Sequence, residues 1–218
     1  MSYGQMFLKE FCAENFTNIP KAIAAGAHRI ELCDNLAAGG TTPSYGVIKK
    51  TLSYARAHDT ALMVMIRPRG GNFEYTEAEL EIMLTDIAVC QELQADGVVF
   101  GCLQGSWIDE EATTALLAAA QGLSVTFHMA FDSIEKDRQF AAIDWFSQRG
   151  VSRILTHGNP FPGAIEDHIE HLQALAVHAQ GKLCILPGGG IHDQNAEAIL
   201  TRLGLSEAHG TKIVAFER

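Results

Sequence analysis

Long apolar runs are missing from this chain. The strongest, residues 61–66, is far too short to span a bilayer, which takes about 20 residues. Positive charge is scarce as well: 16 Lys and Arg stand against 26 Asp and Glu, giving a formal net charge of −10. With an isoelectric point near 5.3 and no basic run, a general nucleic-acid or acidic-membrane partner is not expected. The opening Met1-Ser2-Tyr3-Gly4-Gln5 lacks the charged region and apolar core of a secretion signal, so a cytoplasmic protein is expected. Five cysteines, an odd number without CxxC spacing, argue against a disulfide framework. No GK[ST] follows the glycine run at 188–190, and no HExxH occurs, so neither a P-loop nor a zincin helix is present. What remains is ordinary for a globular protein: 218 residues, 47% hydrophobic and 19% charged, enough for a substantial core.

Strand-like and helix-like runs alternate without a break, and no linker or low-complexity segment divides them. Strands are expected over 6–12, 29–33, 61–67, 97–101, 123–128, 153–156, 183–186 and 207–209. Between them lie helices opened by Asn18 or Thr17 with Pro20, by a Thr76/Glu79 capping box, and by Asp109 and Asp193. Gly150 reads as a helix C-cap. Eight such repeats suggest one domain over 1–218, a TIM-like (β/α)8 barrel, with a doubly wound open sheet as the alternative. Only residues 210–218 follow the eighth strand, so the last helix is expected to be short or incomplete. The apolar wall left bare there would suit a partner subunit, and a homodimer is expected.

Two echoing stretches carry the chemistry: Lys9-Glu10-Phe11-Cys12 and Ile30-Glu31-Leu32-Cys33. Alternation places Glu10 with Cys12, and Glu31 with Cys33, on one face of each strand. If these strands are parallel neighbours about 4.8 Å apart, two thiols and two carboxylates meet. Arg67, His128, Thr156 and His209 fall at the same C-terminal end of later strands, where barrel proteins place their sites. Two thiolates suit a soft metal such as Cu(I). Alternatively, Arg67 and Arg69 with the Gly188-Gly189-Gly190 turn could hold an anion, with His128, Glu10 or Glu31 as acid and base. A self-satisfied ion-pair network of Glu10 and Glu31 with Arg67 and Arg69 is the bland reading of the same residues. Cys90 and Cys184 read as core, and Cys102 could reach the mouth with nothing to pair. His168, His171 and His178 form a helical stripe that reads as a solvated face.

Several stretches together resemble the CutC family, named for copper homeostasis. They are Glu10-Phe11-Cys12, residues 29–36, Gly39-Gly40-Thr41-Thr42-Pro43-Ser44, residues 65–71, residues 96–101, Phe127-His128 and Pro187-Gly188-Gly189-Gly190. The resemblance implies a cytoplasmic TIM-like barrel with Cys12 and Cys33 as copper(I) ligands. Met129 stands where the family pattern has Arg, and His157 where a small residue is common. Two functions follow: a copper-homeostasis protein binding Cu(I), or a barrel enzyme acting on a small anionic or phosphorylated metabolite.

Overall fold

The alternating runs fold into eight parallel strands wrapped by helices; the computed structural model describes residues 7–160 and 163–216. The strands are β1 (Leu8–Glu14), β2 (Arg29–Cys33), β3 (Ala61–Met65), β4 (Gly97–Phe100), β5 (Ser124–Phe127), β6 (Arg153–Thr156), β7 (Cys184–Pro187) and β8 (Glu207–Gly210). Their spatial order is β8-β1-β2-β3-β4-β5-β6-β7, so the first and last strands pair and the sheet curls into a nearly closed barrel. The open-sheet alternative fails on that pairing. Beyond the ends of β7 and β8 the seam is held by a parallel bridge between His192 and Lys212. Of the expected first strand, Met6 lies outside the described residues, and β1 runs two residues past Cys12 to Glu14.

Local chemistry explains most helix starts. Pro20 sits in the first turn of α1 (Ile19–Ala24), and Ser44 accepts from the Val47 amide at the start of α2 (Tyr45–Arg56). Thr76 and Glu79 form a reciprocal capping box on α3 (Glu77–Glu92), and Asp109 accepts from Ala112 to open α4 (Glu110–Ala119). α5 (Gln139–Ser147) is followed by Gly150 at φ +76°. α6 (Ile169–Ala179) and α7 (Ala196–Leu203) complete the ring. Asp193 does not cap α7: its amide joins the Lys212 carbonyl at 2.9 Å in the seam, and the helix starts only at Ala196. Asn195 takes the cap position, and its side chain bonds the His192 amide at 2.8 Å and the Gly190 carbonyl at 3.1 Å. A two-stranded hairpin, Leu103–Gln104 with Trp107–Ile108, follows β4 and was not expected.

Outward residues of the strands, such as Phe11, Ile30, Leu32, Leu62, Val64 and Val98, pack beneath the helices in one apolar layer. Residues 211–216 form no helix after β8. Ile213 and Val214 nonetheless bury, and Phe216 packs edge-on against Phe11 with ring centroids 5.6 Å apart. The chain's own tail thus covers part of that wall, with Phe216 itself left partly exposed. No helix among the described residues is long and apolar enough to cross a membrane.

Candidate metal centre

The register of β8, β1 and β2 builds the site. Glu10 lies opposite His209 on one side and Arg29 on the other, while Cys12 lies opposite Glu31. Alternation turns Glu10, Cys12, Arg29, Glu31, Cys33 and His209 into the barrel, where all are buried. Charges there need partners. The Glu10 carboxylate accepts from Arg29 Nε and, at 2.8 Å, from His209 Nδ1. Arg29 also donates to Glu207 at 2.7 Å, and Arg153 lies 3.5 Å from that same carboxylate. Burial alone would raise the Glu10 carboxyl, but His209 and Arg29 hold it down at about 2.

One layer nearer the mouth sit the thiols. The sulfurs of Cys12 and Cys33 and a carboxylate oxygen of Glu31 all lie within 4.8 Å of one another. Cys33 donates to Glu31 Oε2 at 3.6 Å, and His209 Nε2 is 3.7 Å from that oxygen. Glu31 Oε1 is buried with no hydrogen-bond partner. The Cys33 side chain beside it, aided by His209, holds the Cys12 thiol well below its usual range despite burial. Cys33, as the donor and in the same buried place, is pushed up. Burial raises Glu31, with Cys12 and Glu10 adding to the shift. Burial would lower His209, but Glu31, Cys12 and Glu10 raise it well above the ordinary imidazole value. The two shifts are reciprocal: Cys12 is lowered and His209 raised, each in part by the other. Both thiols open onto a cavity of about 390 Å³ at the C-terminal mouth of the barrel. A metal–thiolate bond of roughly 2.3 Å lets one ion bridge sulfurs up to about 4.6 Å apart, and the two sulfurs here lie within 4.8 Å.

The other expected site residues are distributed differently. Arg67 lines the cavity, but its terminal nitrogens donate to the carbonyls of Ala38, Gly40 and Gly71. Arg69 does not line it; its guanidinium is spent on Glu79, Asn72 and the carbonyls of Gly70 and Glu74. Neither arginine pairs with Glu10 or Glu31, so the expected network of those four does not form; Arg29 and His209 take the partner roles. His128 lines the cavity yet bonds neither carboxylate: its Nδ1 accepts from the Ala130 amide at 3.2 Å. Gly189 and Gly190 adopt positive φ and line a neighbouring cavity with His192 and Lys212, while Gly188 packs by His209 and Leu155. Thr156 donates to the buried Asp132 at 2.5 Å. Cys90 and Cys102 are buried away from the cavity, and Cys184 is half-buried at the start of β7. The histidine stripe is half-buried and partnered rather than freely solvated. His168 packs on His157, His171 bonds Gln139 at 2.7 Å, and His178 bonds Asp144 at 3.0 Å.

Sequence reading missed Arg29 and the partnership of His209. Arg29 was findable, since it precedes Glu31 by two residues and so shares its face. The pairing of Glu10 with His209, 199 residues apart, needed the closed barrel.

Comparison with known proteins shows the family and the fold. The family model described as the CutC family matches residues 7–214. A CutC-family protein of Enterococcus faecalis is 56% identical over 208 residues, covering 95% of this chain and all of the relative. The human copper homeostasis protein cutC homolog is 39% identical over 204 residues, covering 93% of this chain and 72% of its own length. The crystal structure of a CutC protein from Streptococcus agalactiae superposes with a TM-score of 0.93 at 47% identity, covering 96% of this chain and 100% of that one. A deoxyribose phosphate aldolase from Aeropyrum pernix, at 13% identity and a TM-score of 0.70, shares the fold alone. The chain belongs to the CutC family.

Proposed function

We propose that this chain is a cytoplasmic copper-homeostasis protein that holds Cu(I) between Cys12 and Cys33 at the mouth of its barrel. The observation that carries the reading is the convergence of two buried sulfurs and the Glu31 carboxylate within 4.8 Å at the floor of an open cavity. Two thiolates select a soft monovalent ion over the harder divalent metals. Cys12 is already biased toward thiolate by its neighbours, so it is prepared to bind. Glu31 stands beside both sulfurs as a third donor or as the acceptor for the Cys33 proton that binding displaces. Free thiols in this setting suit a reducing compartment. X-ray absorption at the copper edge tests the ligand set: two sulfur neighbours around one Cu(I) per chain support it. A shell of nitrogen and oxygen alone would place the metal elsewhere.

A further inference from the structure

Arg67 is a buried cation without a carboxylate. Among the described residues no Asp or Glu pairs with it; its terminal nitrogens go to three backbone carbonyls, and Nε has no hydrogen-bond partner. A buried guanidinium satisfied only by neutral groups is costly unless an anion joins it. His128 adds a second orphaned donor. Its Nδ1 accepts from Ala130, which leaves the ring proton on Nε2, and Nε2 is buried without a partner. The Phe73 ring packs on both, its centroid 5.0 Å from Arg67 Cζ and 4.9 Å from the His128 ring centroid. The buried Tyr75 hydroxyl lies beside the Arg67 guanidinium and is a neutral neighbour that leaves the charge uncompensated. Arg67, Phe73 and His128 line the same cavity as the thiols, and much of the rest of its wall is apolar, from Leu36, Met65 and Leu155. Buried polar groups left unpaired beside a cavity are what a ligand of opposite character would complete.

We propose that this cavity is a receptor for a small carboxylate with an apolar body, its oxygens accepting from Arg67 Nε and His128 Nε2. The guanidinium supplies the charge, His128 supplies direction, and the apolar wall takes the body. Phe73 shields both donors and lies on residues 66–76, which form neither helix nor strand, and ligand entry requires its ring to swing aside. The inference does not rest on the copper reading, because its donors are not the thiols.

Isothermal titration of the metal-free protein with benzoate, hexanoate, their uncharged amides and inorganic phosphate tests it. The expected result is saturable one-to-one binding of a carboxylate, roughly tenfold or more tighter than its amide. His128→Asn should weaken that binding by about tenfold, and His128→Gln, which can return a donor near Nε2, should restore much of it. Thermal melting of each variant identifies any that fails to fold, and Arg67→Lys, which keeps the charge but loses the Nε donor, gives a second route to the same loss. Cys12→Ser should leave carboxylate binding in place, so loss of copper binding and loss of this site are read separately. Equal binding of acids and amides, binding of phosphate alone, or indifference to both His128→Asn and Arg67→Lys would overturn the proposal.

Discussion

On β2, Ile30 and Leu32 turn outward under the helices while Arg29, Glu31 and Cys33 turn inward, and all five are buried. The two faces differ in what satisfies them. The outer face is filled by branched apolar side chains whose partners are interchangeable, and its stabilisation follows the area removed from water. The inner face carries charges and thiols, each of which needs a particular neighbour at a particular distance. A barrel interior normally holds branched apolar layers. Here β1, β2 and β8 give that space to an ion network with a pair of thiols above it. The same alternation that makes a strand amphipathic thus separates an apolar folding surface from a polar inner one.

Removing one member of the inner network should have the largest effect. Glu10→Ala leaves Arg29 and His209 without their shared carboxylate, and is expected to cost about 3–5 kcal/mol in chemical denaturation. A loss under about 1 kcal/mol would mean that the interior charges are not mutually dependent. On the outer face, Leu62→Ala should cost about 2–5 kcal/mol through transfer and cavity terms, with copper binding intact. If Leu62→Ala instead abolished metal binding in a protein that still melts cooperatively, the two faces would not be separable. Cys12→Ser should cost only about 1 kcal/mol, since a hydroxyl finds partners among the polar groups there.

The smallest effect concerns pH. Burial, with the nearby Arg67 cation, lowers His128 to about 3 from an ordinary value near 6.5. Because the folded value lies below the unfolded one, its contribution is present above pH 6.5 and is lost as pH falls from there toward 3. Melting across that range should therefore fall less steeply in His128→Asn than in the native protein. A nitrogen-detected NMR spectrum should show the ring neutral at pH 5, with its proton on Nε2.

The fold was legible because its signals are local: the Thr76/Glu79 box, the Asp109 cap, and strand runs bounded by turn residues all lie within a few positions of what they specify. The Glu-apolar-Cys echo likewise placed Glu10, Cys12, Glu31 and Cys33 by alternation alone. What alternation cannot supply is register across the closing strands, which is why His209 was placed at the mouth without its partner. Nor can it supply loop conformation. Arg67 and Arg69 are two residues apart, yet one lines the cavity and the other is spent on Glu79 and loop carbonyls. Asp193 likewise lies in the seam with Lys212, and the cap position falls two residues on, at Asn195.

An anaerobic Cu(I) competition titration of the native protein, Cys12→Ser and Cys33→Ser tests the central claim most directly. The account predicts one tightly held copper per native chain, lost in both variants while their melting stays cooperative. Binding that survives either substitution would contradict a copper site built from the inward thiols of β1 and β2.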